Sequence, residues 1–287
     1  MTGPGAVTHG EFDAGDDLRL HIAESSDGPP LILLHGFTGS TESWTPLRSA
    51  FDHAYRVIAI DHPGHGRSSV PSDPNRYRLD RFADDLLRLI DSLSLDRVVI
   101  AGYSMGGRAA LRFAIGHADR VAALVLESTT PGIKDAAQRL DRKAFDGLLA
   151  NDIDRNGIEG FVDRWERLPL WDTQRKLPDA SRACLRAQRL LNDPLGLANS
   201  LRGAGTGEDP PVLDQAAGIR TPVLIIAGAL DSKYVELGRL LERSIPGSRL
   251  ELVANAGHTV HLEMPEAFAT VVNEFLSTIP SAKGRWT

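Results

Sequence analysis

Apolar positions along this chain form two patterns, short unbroken runs and helical repeats, and the two alternate. Segments at 31–34, 56–60, 97–101, 121–126, 222–227 and 249–253 are of strand length, and the continuously apolar 31–34 fits a strand covered on both faces. Between them, apolar residues recur at three- and four-residue spacing. Phe82, Leu86, Leu89, Ile90 and Leu93 mark a helix over 79–93, and similar patterns cover 108–115, 234–244 and 265–275. Residues 43–51 also read as a helix. Near the N-terminus, alternation at 11–12 and 18–23 predicts half-exposed antiparallel strands, preceded by a loose tail over 1–8.

Repeated strand and helix predict an α/β fold with a mostly parallel central sheet and helices on both faces. From 128 to 210 the rhythm stops. No strong strand is written there, and helical stretches carry Trp165, Trp171 and many arginines. The expected organisation is a core of 1–127 and 211–287 with a helical cap, 128–210, inserted between two strands. Such an insertion lies over the carboxyl ends of the strands, where open α/β sheets bind ligands.

Composition narrows the picture. Apolar residues at 42% and charged residues at 24% give enough apolar surface for a packed core, which excludes a disordered chain. A net charge of -6, with no basic stripe, argues against a nucleic-acid partner. One cysteine, Cys184, permits no internal disulfide and fits a reducing compartment. No signal-peptide pattern opens the chain and no apolar run approaches membrane-spanning length, so a cytoplasmic protein without membrane insertion is expected. Oligomeric state is not written in these patterns.

The chemistry centres on 98–108, where an apolar run ends in Gly102-Tyr103-Ser104-Met105-Gly106 and a helical pattern follows at once. This is the pattern of a nucleophile elbow, a sharp strand-to-helix turn with a serine at its tip. A serine hydroxyl is inert at neutral pH unless a histidine takes its proton and a carboxylate orients that histidine. The order required on this fold is serine, acid, histidine, and Asp231 and His258 supply it, each on a loop just past a strand. Glu127, at the end of the strand after the elbow, is an alternative acid. Its position suits a structural role better.

The backbone N–H groups of Phe37 and Met105 are placed to form an oxyanion hole, with His35 holding the first of those loops. His62 and His65 lie in a turn-rich loop and read as structural hydrogen-bonders. His258, His261 and Glu263 superficially resemble a ligand cluster, but their spacing matches no metal motif, so no metal and no organic cofactor are expected. Arg108 falls one helical turn beyond Ser104, on roughly the same face. A guanidinium buried there needs an anion, and a substrate carboxylate is a candidate. Acidic and basic residues balance within 128–210, so the insertion is not a basic patch.

Together, His35-Gly36-Phe37, the loop Asp61-His62-Pro63-Gly64-His65-Gly66, the elbow, Asp231 and His258 resemble the α/β-hydrolase superfamily over nearly the whole chain. Within it the chain resembles the 2-succinyl-6-hydroxy-2,4-cyclohexadiene-1-carboxylate synthases of menaquinone biosynthesis. That likeness rests on Gly107-Arg108 after the elbow, on Glu127-Ser128-Thr129-Thr130-Pro131-Gly132-Ile133, and on the runs 161–166, 168–170 and 199–207. The resemblance implies a lyase in which Ser104, relieved of its proton by His258, abstracts a ring proton and pyruvate is expelled. It implies a small polycarboxylate substrate held by Arg108, Arg142 and Arg186, with Tyr103 and Trp165 as pocket walls. A serine hydrolase of esters or of carbon-carbon bonds in diketones would use the same triad, and a catalytically silent binding module is the third class.

Overall fold

The computed structural model describes residues 6–279. Its centre is an eight-stranded sheet in the order β1-β2-β4-β3-β5-β6-β7-β8. The strands are β1 (Thr8–Asp13), β2 (Arg19–Ser25), β3 (Pro30–Leu34), β4 (Arg56–Ile60), β5 (Val98–Tyr103), β6 (Val121–Glu127), β7 (Val223–Gly228) and β8 (Arg249–Val253). Both pairings of β2, with β1 and with β4, are antiparallel, and every other pairing is parallel. β3, β5, β6 and β7 are buried at every position, which is why they read as unbroken apolar runs.

Among the described residues, ten α-helical segments connect or cover the strands. They are α1 (Arg48–Phe51), α2 (Leu79–Ser92), α3 (Met105–Gly116), α4 (Ala136–Trp165), α5 (Asp179–Leu190), α6 (Pro194–Ala204), α7 (Leu213–Ala216), α8 (Ser232–Ser244), α9 (Val260–Glu263) and α10 (Pro265–Thr278). Two apolar clusters cover the two faces of the sheet. One packs Phe82, Leu86 and Ile90 of α2 and Phe113 of α3 against Ile32, Ile58 and Ile100. The other packs Phe268 and Val272 of α10 with Trp44 and Phe51 against Leu33, Val57 and Val125.

Two N-terminal expectations change. Thr8 opens β1 rather than closing a tail; of the rest of the expected tail, 6–7 have no regular structure and 1–5 lie outside the described residues. β2 is not half-exposed, because it sits between β1 and β4. Two of its polar side chains are buried with partners: His21 Nδ1 lies 2.8 Å from Asp61 Oδ2, and Ser25 donates to Asp52. The helix expected over 43–51 is a 3-10 turn, Thr41–Leu47, carrying Pro46, followed by the single turn of α1.

Between β6 and β7 the chain is helical. Ile153, Phe161, Val162, Leu197 and Leu201 make a third apolar cluster that joins α4 to α6. Truncating the fully buried Phe161 to alanine would cost about 3–5 kcal/mol. α4 is broken at Gly157, whose φ of 67° only glycine adopts without strain. α6 lies directly on the core loop after β4. A Cβ on Gly196 would sit 2.3 Å from the carbonyl oxygen of Gly64, so helix and loop meet backbone to backbone. Asn199 Nδ2 donates to the carbonyls of Pro71 and Ser72, and Asn192 Nδ2 to that of Thr38.

Candidate active site

The site grows out of the turn between β5 and α3. Ser104 carries φ 52° and ψ -105°, a strained backbone that lifts its hydroxyl above the sheet. The turn is possible only because a Cβ on Gly102 would lie 2.4 Å from the Gly106 carbonyl oxygen, and one on Gly106 would lie 2.2 Å from that of Leu34. With hydrogen in both places, strand and helix close to contact. The Ser104 N–H donates to Glu127 O at 2.9 Å, and Thr129 Oγ1 donates to Ser104 O at 2.8 Å.

His258 Nε2 stands 3.2 Å from Ser104 Oγ, and His258 Nδ1 stands 2.9 Å from Asp231 Oδ2. Because Asp231 is a carboxylate acceptor, Nδ1 carries the proton and Nε2 is free to accept from serine. The second oxygen of Asp231 caps α8, accepting from the Tyr234 N–H at 3.3 Å. One carboxylate thus fixes both the helix start and the imidazole. Tyr103, Trp171 and Tyr234 put their rings 5.4, 5.6 and 4.3 Å from that of His258, which is buried. The N–H groups of Phe37 and Met105 have no acceptor among the described residues.

The competing acid is accounted for by its partners. Glu127 is buried and accepts from the backbone N–H and Nδ1 of His261, at 3.0 and 2.7 Å from its two oxygens. Glu263 accepts from the N–H groups of Gly257 and Thr259, bracketing His258. These contacts separate the trio that resembled metal ligands, and among the described residues no cluster of metal-ligating side chains occurs.

Three more histidines build the floor. His35 Nε2 accepts from the His62 N–H at 3.0 Å, and His35 Nδ1 donates to Gly36 O. His65 Nδ1 donates to Pro63 O. Burial lowers the pKa of all three, His65 to about 3, so they are neutral. Asp61 accepts from the backbone N–H groups of Thr41 and Arg67 as well as from His21.

Ser104 and His258 open into a cavity of about 150 Å³ between the sheet and the helical segment. Tyr103, Arg108, Arg142 and Trp165, four of the five positions to which the family resemblance points, line it. Arg186 does not. It is half-exposed, held by Asp163 and Glu166 at 2.6 and 2.8 Å, and faces a separate surface depression. One turn further along α5, Arg189 is buried, over the Trp171 ring at 5.2 Å. Arg108 also differs from expectation. Its anion is within the chain, since Nη1 lies 3.2 Å from Asp209 Oδ2 and Nη2 donates to Ala204 O. Burial lowers its pKa and Asp209 opposes that.

Sequence reasoning passed over Lys233 and Tyr234, which follow Asp231 and line the same cavity. Burial lowers the Lys233 ammonium, as does nearby Arg142, with Asp231 opposing; it makes no ion pair among the described residues. Burial raises the pKa of Tyr234, which shares the cavity with Ser104. A larger cavity of about 400 Å³ lies behind Phe37, Tyr103 and Trp171, which line both spaces, but Ser104 and His258 are not in it.

A family model described as the alpha/beta hydrolase fold matches residues 29–265. The chain is 43% identical over 268 residues to a putative 2-succinyl-6-hydroxy-2,4-cyclohexadiene-1-carboxylate synthase of Bacillus subtilis (strain 168), covering 92% of this chain and 97% of that relative. The chain belongs to the α/β-hydrolase family, in its 2-succinyl-6-hydroxy-2,4-cyclohexadiene-1-carboxylate synthase branch. Among solved α/β-hydrolase structures, MenH from S. aureus superposes with a TM-score of 0.85 at 35% identity, covering 96% of this chain and 98% of the other. A thermophilic esterase from Thermogutta terrifontis superposes with a TM-score of 0.84 at 27% identity, covering 95% and 99%. Shape is therefore common to both branches, and sequence separates them.

Proposed function

We propose that this protein eliminates pyruvate from 2-succinyl-5-enolpyruvyl-6-hydroxy-3-cyclohexene-1-carboxylate to give 2-succinyl-6-hydroxy-2,4-cyclohexadiene-1-carboxylate, with Ser104, His258 and Asp231 as the triad. His258 takes the Ser104 proton, and the serine oxygen abstracts a ring proton next to the succinyl ketone. The electron pair moves through the ring and the carbon-oxygen bond to the enolpyruvyl group breaks. The leaving group takes up a proton and becomes pyruvate. Charge developing on the ketone oxygen is met by the N–H groups of Phe37 and Met105. No metal or organic cofactor enters the scheme.

The single observation that carries this reading is a cavity that Ser104 shares with three cations, Arg108, Arg142 and Lys233, outnumbering the carboxylates that pair Arg108 (Asp209) and Arg142 (Asp146), in a chain so similar to a synthase over its whole length. A polycarboxylate uses such a lining, whereas a neutral ester has no need of it. Tyr103 and Trp165 wall the space. In this reading 1–127 and 211–287 form the catalytic core and 128–210 the cap, a division supported by the separate apolar cluster between α4 and α6. Among the described residues no helix is long and apolar enough to cross a membrane.

The test is direct. Purified, folded protein supplied with the succinyl enolpyruvyl cyclohexene should release pyruvate, and Ser104→Ala should abolish the release. Absence of pyruvate, together with strong turnover of simple nitrophenyl esters, would overturn the proposal in favour of an ester hydrolase.

A further inference from the structure

Behind the triad runs a chain of hydrogen bonds that joins the cap to the immediate neighbours of both Ser104 and His258. Glu166, the residue after α4, accepts from Arg189 Nη1 at 3.0 Å. Arg189 Nη2 donates to Gln174 Oε1 at 3.0 Å, and Gln174 Nε2 donates to Thr259 Oγ1 at 2.9 Å. Thr259 Oγ1 in turn lies 2.9 Å from the Tyr103 hydroxyl. Tyr103 precedes Ser104, and Thr259 follows His258. Arg189, Gln174, Thr259 and Tyr103 are 4, 5, 5 and 7% exposed and stand together on the wall of the cavity of about 400 Å³.

The direction of the chain is set by chemistry. Arginine only donates, so the Gln174 amide must turn its oxygen to Arg189 and its NH2 to Thr259. Thr259 then accepts from Gln174 and has its own proton for Tyr103. The cap segment carrying Gln174 also touches the histidine loop directly, because a Cβ on Gly257 would fall 2.1 Å from Thr173 Oγ1. A buried polar link of this kind is costly to leave half-made, and it is made only when the cap is seated.

We propose that Gln174 and Thr259 are positioning residues: the chain Arg189–Gln174–Thr259–Tyr103 holds Ser104 and His258 in register and makes the activity of the serine depend on the seated cap. Neither residue touches the reacting atoms. The inference rests on Ser104 being the activated serine, so its test reads serine activation apart from the assigned substrate.

The full-length protein is treated with diisopropyl fluorophosphate, and modification of Ser104 is timed by mass spectrometry beside pyruvate release. Thr259→Val and Gln174→Met should each slow both rates about tenfold, the value of one buried hydrogen bond of ordinary strength. Thr259→Ser, which keeps the hydroxyl, should stay within about twofold of the parent. The double variant should lose no more than the worse single, because both break one path. The proposal is overturned if Thr259→Val reacts like the parent, if Thr259→Ser is as slow as Thr259→Val, or if the two losses multiply. Modification that persists in Ser104→Ala is a different pattern; it sinks the triad reading and the positioning role with it.

Discussion

Arg108 and Asp209 face each other at 3.2 Å beside the Ser104 cavity, and Arg112 closes on the other oxygen of the same carboxylate at 2.6 Å. The arginine that follows the elbow therefore both lines the cavity and pins the segment leading from α6 back to the core. Arg108→Ala should lower stability by about 1–3 kcal/mol, the range for a lost hydrogen bond to a charged group, since Arg112 still neutralises Asp209. It should also cut pyruvate release about 100-fold while leaving turnover of a neutral ester within about threefold. Urea melts beside the two assays separate these effects. Equal losses on both substrates would contradict a role in carboxylate binding.

Ser104 is held at a φ of 52° by the turn around it, not by a preference of its own. Ser104→Gly should abolish pyruvate release and raise stability by about 1 kcal/mol, seen as a higher melting temperature. A variant less stable than the parent would show that the elbow is not strained.

The cations of the cavity and those outside it should separate kinetically. Lys233→Ala should raise the KM for the polycarboxylate about tenfold with little change in kcat, as expected for a contact made equally in ground and transition states. Arg186→Ala should change kcat/KM less than twofold, because its guanidinium is half-exposed and already occupied by Asp163 and Glu166. Steady-state kinetics of the two variants give the answer, and a large defect in Arg186→Ala would restore it to the site.

The buried histidines predict acid sensitivity. His35, His62 and His65 all have pKa values lowered by burial, so the folded protein refuses protons that the unfolded chain accepts. Stability is thus complete above the ordinary histidine value of about 6.5 and falls as pH drops toward about 3, the value for His65. His65→Gln should flatten that decline by up to one proton, about 1.4 kcal/mol per pH unit at its steepest. Urea melts between pH 7 and pH 4 measure the slope, and an unchanged slope would rule out His65 as a source.

Strands were the most legible part of the chain. β4 and β8 fall on the residues expected and β3, β6 and β7 within a residue of theirs; β3, β6 and β7 are legible because a strand buried between neighbours must be apolar throughout, while β8 is an edge strand whose Arg249 and Glu251 alternate with leucines. β2 misled because His21 looks like a solvent-facing position. Only the fold brings Asp61 to it. Ser104, Asp231 and His258 could be picked out because loops after strands deliver side chains to one edge of the sheet. Arg186 and Arg189 could not be told apart, since both sit on one helix in similar polar surroundings and tertiary packing alone decides which is buried. Lys233 and Tyr234 carried no local signal. Their position follows from how Asp231 caps α8, turning the first helical residues toward the serine.

The backbone contact between Gly64 and Gly196 fixes how closely α6 sits on the core, because a Cβ on Gly196 would have to push helix and loop apart. The segment Pro169–Lys176 and Asn192, which follows α5, meet the floor through the side chains of Gln174 and Asn192 instead. A substitution on that flank removes a bond and leaves the main chain room to stay where it is, whereas one at Gly196 displaces the whole helix.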